Sequence, residues 1–130
     1  MSVSAACSAN QQSSITLSGT NGTIPSTPGW LPVNAICRWT ITAPVGKVLR
    51  INITAVFPKP CGDEYLRIHD GPSEASVKIV KFDCNSSVVN TGAYIYSSGH
   101  SLWLEVKTGV KANSTFINLF YQAQDKQGII

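Results

Sequence analysis

Apolar and polar residues alternate at period two along several short stretches of this chain, and none sustains the i, i+3, i+4, i+7 spacing of an amphipathic helix. Cys37, Trp39 and Ile41 share one parity and Arg38, Thr40 and Thr42 the other, which predicts a half-buried strand. Pro44 and Gly46 should stop it near Ala43, because proline gives the ladder no donor and glycine relieves a turn; the chain restarts at Lys47. Leu49, Ile51 and Ile53 then point one way and Arg50, Asn52 and Thr54 the other, until Pro58 and Pro60 break the run before Cys61. A further strand is predicted from Tyr65 to His69, ended by the Asp70-Gly71-Pro72 turn. Leu102, Leu104 and Val106 alternate with Trp103, Glu105 and Lys107, and a last strand runs from about Thr115 to Gln122.

Other stretches carry weaker patterns. Ile15 and Leu17 alternate with polar neighbours as a first strand, and Gly19 with Asn21-Gly22 should turn it into a hairpin with Thr23-Ile24. Pro25, Pro28, Gly29 and Pro32 predict a rigid, irregular passage to Cys37. Val77, Ile79 and Val80 lead a mixed apolar segment to Cys84, and Ala93 to Ser97 another, ended by Ser98-Gly99. Roughly eight to ten short strands between proline and glycine turns predict an all-β fold, an antiparallel two-sheet β-sandwich of jelly-roll type.

Composition narrows the setting. The 130 residues are 43% hydrophobic and 13% charged, a globular balance that suits one domain. The net charge is +3, with basic residues dispersed apart from Lys78/Lys81 and Lys107/Lys111, so a nucleic-acid groove is not expected. Four cysteines, Cys7, Cys37, Cys61 and Cys84, form an even set without a C-x-x-C pair, which points to two disulfides and an oxidising compartment. Sequons at Asn21, Asn52, Asn85 and Asn113 point the same way, toward secretion and glycosylation. No apolar run is long enough to span a bilayer, and residues 1–6 lack the apolar core of a signal peptide. Met1 is therefore read as opening a mature extracellular fragment.

The run CRWTITAPVG from Cys37 to Gly46 resembles the C-x-W-x-I-x-A-P-x-G signature of the CUB domain family. GTIPSTPGWLPVNAIC upstream is similar to the family's opening, with Thr27-Pro28 and Leu31-Pro32 as looser versions of its proline pairs. CGDEYLRIHDG resembles C-x-x-D-x-L-x-I-x-D-G, with Leu66, Ile68, Asp70 and Gly71 in place, and SSGHSLWLEV and FINLFYQA match later family segments. The likeness covers about residues 7–123, leaving 1–6 as an N-terminal extension and 124–130 as a C-terminal tail. It implies a two-sheet sandwich with Cys7 joined to Cys37 and Cys61 to Cys84.

The resemblance also implies a function: an extracellular module that binds a protein ligand or receptor and performs no catalysis, within a larger secreted or cell-surface protein. The alternatives are a free-standing glycan or glycosaminoglycan binder, or a substrate-positioning domain of a secreted protease. Many family members hold calcium through a glutamate before the third cysteine, an aspartate three residues after it and an aspartate after the S-S-G strand. Here those positions fall near Val56 and Phe57, at Glu64 beside Asp63, and at Thr108 or Gly109. With Asp63, Glu64 and Asp70 as the only nearby carboxylates, too few hard oxygen donors are expected, so no cofactor is assigned and Asp63 and Glu64 read as a solvated acidic turn.

Candidate binding residues are Trp103, Trp30, Asp63, Glu64 and Lys59. Trp103 is pushed by the alternation to the face opposite the core, where it is either an aromatic anchor or a cover over a neighbouring strand. Trp30 sits in the proline-rich stretch, with burial there its expected fate. Lys59, Lys107 and Lys111 could gather at one end of the sandwich as a polyanion site. His69 and His100 are isolated near turns and read as surface groups, and no G-x-S-x-G, H-E-x-x-H or phosphate loop is present.

Overall fold

Ten strands lie among the residues described by the computed structural model, namely 14–18, 21–57, 62–83, 88–90, 94–110 and 115–125, of which 14–18, 25–30 and 88–90 are described by backbone alone. They are β1 (Ser14–Ser18), β2 (Asn21–Trp30), β3 (Ile36–Thr42), β4 (Lys47–Val56), β5 (Tyr65–Asp70), β6 (Val77–Asp83), β7 (Val88–Asn90), β8 (Ile95–Tyr96), β9 (Ser101–Lys107) and β10 (Phe116–Asp125). One sheet has the order β1-β3-β9-β5-β6 and the other β2-β10-β4-β7, with β8 also pairing β4.

The alternation read from the sequence sets the faces. β3 buries every second residue, and Cys37, Trp39 and Ile41 are fully buried. Leu66 and Ile68 of β5 join them with Leu102, Leu104 and Val106 of β9, facing Leu49, Ile51 and Ile53 of β4 and Ile117 and Leu119 of β10 in one core. At Pro44 to Lys47 the chain makes a tight turn in which the Lys47 N–H donates to the Pro44 carbonyl at 3.1 Å. Gly46 supplies the positive φ of 91° that its third position requires.

Several expectations are corrected. Asn21-Gly22 does not turn a hairpin: β1 lies in one sheet, parallel to β3, while β2 lies in the other, antiparallel to β10. Gly22 is small for a packing reason, since a Cβ there would stand 2.5 Å from the Tyr121 hydroxyl and 2.7 Å from the ring carbon bearing it. Nor is the proline-rich stretch irregular throughout. β2 runs through Pro25 and Pro28 because it is an edge strand, where proline's missing donor can face solvent, and the β10 ladder slips between Ile117 and Leu119 to accommodate it. The sandwich is thus antiparallel apart from the β1–β3 pair. β10 runs on to Asp125, past the strand end expected near Gln122.

Cys37 carries its sulfur in a disulfide. Cys7, Cys61 and Cys84 lie outside the described residues, so the pairing of the four cysteines stays an expectation.

Candidate recognition site

Three loops meet at one end of the first sheet. Ile36, Lys107 and Tyr65 stand side by side across β3, β9 and β5, so the segments before β3, before β5 and after β9 are brought together by ladder register alone. Backbone bonds lock them: Asn34 N–H donates to the Gly109 carbonyl at 2.8 Å and Thr108 N–H to the Ala35 carbonyl at 2.9 Å. The Thr108 hydroxyl accepts from the Ala35 N–H at 2.8 Å and donates to the Pro32 carbonyl at 2.7 Å. Asn34 takes a positive φ of 53°, a conformation asparagine tolerates better than most residues. The resulting cleft, of about 430 Å³, is lined in part by Gly62, Asp63, Glu64, Lys107, Thr108 and Gly109.

Asp63 and Glu64 behave differently there, and the expectation of one solvated acidic turn holds for only the first. The Asp63 carboxylate is exposed and accepts from the Lys107 ammonium at 2.5 Å, which holds it below the usual carboxylate range. Glu64 is only 7% exposed, and its Oε1 is buried without a hydrogen-bond partner among the described residues. Its carboxylate passes between two glycines whose packing role the sequence did not show: a Cβ would come within 2.6 Å of Oε1 at Gly62 and within 1.9 Å of Oε2 at Gly109.

The donor set does not fit calcium, which takes six to eight oxygens. Asp63 is tied to an ammonium and the Thr108 hydroxyl is already engaged. Asp70 ends β5 at its far end, roughly 20 Å from Glu64 by strand rise, and is not a neighbouring carboxylate. No group of three or more metal-ligating side chains occurs among the described residues.

Other candidates fall elsewhere. Trp103 does point away from the core, but it is 3% exposed and cannot act as an open anchor. The His69 ring meets it edge-on with centroids 5.1 Å apart, and the Arg67 guanidinium lies 5.1 Å from its ring centroid. His69 is thus buried rather than a surface group, its Nδ1 2.9 Å from the Ser76 carbonyl, while His100 is exposed. Trp30 belongs to β2 by its backbone, and its side chain, like Lys59 and Lys111, lies outside the described residues.

On the same outer face, Glu105 is 1% exposed and accepts bonds from Arg38 Nε at 2.7 Å, Arg67 Nε at 2.7 Å and the Tyr65 hydroxyl at 2.6 Å. Burial pushes its carboxyl up, but the bonds from Arg67, Tyr65 and Arg38 outweigh that and hold it below the usual range. Burial and the bond to Glu105 push the Tyr65 hydroxyl up to about 12.

The described residues form a two-layer strand sandwich with a polar loop rim and a charge-braced outer face, and comparison with known proteins narrows its class. No protein-family model matches the chain. Human cubilin is 39% identical over 66 residues, which are 47% of this chain and 2% of cubilin. The full extracellular region of zebrafish Gpr126/Adgrg6 superposes with a TM-score of 0.65 at 18% identity, over 87% of this chain and 15% of that one. The CUB1-EGF-CUB2 portion of human MASP-1/3 gives 0.62 at 16% identity, over 89% of this chain and 42% of that one. The chain thus has the fold of CUB-containing structures and resembles cubilin in sequence over about half its length, and it spans about 2% of the length of the cubilin it matches.

Proposed function

We propose that this CUB-like domain is an extracellular, non-catalytic recognition module of a larger protein, and that its loop rim holds a cationic side chain of a protein partner without calcium. Glu64 is the observation that carries this reading. A buried carboxylate oxygen without a donor is costly, about 1–3 kcal/mol or more, and a lysine or arginine from a partner entering the cleft would supply the missing bond. Lys107 already neutralises Asp63, so the charge left at the rim is that of Glu64.

The extracellular setting is supported by the disulfide at Cys37, by the four sequons and by the likeness to the Gpr126 extracellular region. In this reading Cys7 joins Cys37, Cys61 joins Cys84, and Asn21, Asn52, Asn85 and Asn113 are open to glycosylation. Asn21 is exposed and Asn52 is half-buried on the outer side of β4. No helix among the described residues is long and apolar enough to cross a membrane. A non-catalytic role agrees with His69, whose ring is packed against Trp103 and tied to a backbone carbonyl rather than to a carboxylate.

The test is an NMR titration with N-acetyl-lysine amide and N-acetyl-arginine amide as probes. The amide signals of Gly62, Glu64 and Gly109 should move in the native chain and stay still in Glu64→Gln. The variant should melt at the same or a higher temperature, since it loses a buried charge that lacks a donor. Equal shifts in both proteins, or none in the native one, would overturn the reading.

A further inference from the structure

Lys78 and Lys81 are three residues apart, so an unbroken strand would send them to opposite faces of the sheet. The ladder between β5 and β6 slips: Ile68 pairs with Val80 while His69 pairs with Lys78, which leaves Ile79 as an extra residue. That bulge returns both lysines to the outer face, Lys81 beside Arg67 and Lys78 beside His69. Register then builds two rows across four strands, Arg38–Glu105–Arg67–Lys81 and Thr40–Trp103–His69–Lys78.

The charges in these rows are unevenly satisfied. Glu105 is neutralised by Arg38 and Arg67, and Glu74 bonds Arg67 Nη2 at 2.7 Å. Lys78 and Lys81 are exposed and form no ion pair among the described residues. The Lys81 ammonium stands 5.0 Å from the centroid of the Tyr65 ring. Tyr65, Arg67, Lys78 and Lys81 line a cleft of about 310 Å³. Its floor is held rigid, because the Tyr65 hydroxyl and Arg67 Nε both bond the buried Glu105.

We infer that this cleft binds a sulfated sugar of an extracellular polysaccharide. Its binding groups are cations around one aromatic ring, on an open sheet face that a linear polyanion can cross. No apolar pocket for a peptide side chain is among its lining residues. The site is separate from the Glu64 rim and requires only the extracellular setting of the proposed function. It also moves the polyanion site expected at Lys59, Lys107 and Lys111, because the Lys107 ammonium is held by Asp63.

The experiment is calorimetric titration of a heparin-derived hexasaccharide into the native chain, Lys78→Ala/Lys81→Ala and Lys107→Ala, repeated at rising salt. Binding should weaken steeply with salt, fall by about tenfold or more in the double variant and change by less than about twofold in Lys107→Ala. The two lysines are exposed and form no ion pair among the described residues, so circular dichroism of each variant should match the native spectrum. Three results would each overturn the inference: no binding by the native chain, unchanged affinity in the double variant, or tighter binding of a sulfotyrosyl peptide than of the hexasaccharide. Its failure leaves the Glu64 titration unaffected, so the two readings fail separately.

Discussion

Glu105 is the residue on which the outer face of the first sheet depends. A carboxylate removed from water is tolerated only when its lone pairs are filled, and here two guanidinium groups and a phenol fill them. Glu105→Ala leaves Arg38 and Arg67 facing each other across the gap, and we expect a loss of about 3 kcal/mol in urea unfolding. A loss under about 1 kcal/mol would show that solvent already screens the cluster. The alternation of β9 placed Glu105 and Trp103 on the outward parity, which was correct, and left Trp103 as either an anchor or a cover; at 3% exposure it is a cover. Burial there comes from long side chains on β3 and β5, Arg38 and Arg67 above all, lying over the neighbouring strand, and no spacing within β9 encodes that. Glu64 was a candidate but was read as solvated for a related reason: its carboxylate lies against Gly62 and Gly109, a closeness that only the folded chain creates.

At the scale of elements, legibility followed the number of faces in play. β3 and β4 bury essentially one face and β5 does so except at His69, so period two and the terminating Pro44, Gly46 and Gly71 located them closely. β2 was read as a strand only at Thr23-Ile24, because prolines that forbid a central strand are acceptable at an edge, and edge position is a property of the whole sheet. The false hairpin has the same origin, since Asn21-Gly22 has the composition of a turn but serves the close approach of Tyr121. Gly22→Ala should therefore destabilise the domain by about 1–3 kcal/mol, by displacing a mostly buried ring, as read by chemical denaturation. Unchanged stability would show that the Tyr121 ring moves aside at little cost and that the contact does not require a glycine. The β6 bulge was invisible because it appears only when Ile68 and His69 are paired with their partners.

For the molecule as a whole, the fold class was readable and the placing of function was not. The sandwich follows from many short alternating strands, whereas the rim and the basic cleft arise from which strand ends and rows the topology sets side by side. The braced face also sets a pH dependence. Glu105 titrates lower in the folded chain than in the unfolded one, so its contribution is complete above the ordinary carboxylate range and is lost as pH falls through the folded value. Tyr65 is raised to about 12, so its contribution is complete below about pH 10 and is lost between there and about 12. Unfolding free energy should therefore decline at both extremes, and Tyr65→Phe should flatten the alkaline limb and, by removing one of the bonds that hold Glu105 low, soften the acid limb as well. An unchanged alkaline limb in that variant would remove Tyr65 from the account.

The central claim is that the rim takes a cation from a partner without needing calcium. Calorimetric titration of N-acetyl-arginine amide into the native chain, once in excess chelator and once in millimolar calcium, tests it most directly. We predict superimposable isotherms and a melting temperature that calcium moves by less than about 1 °C. Binding that appears only with calcium, or a rise of several degrees on adding it, would contradict the claim.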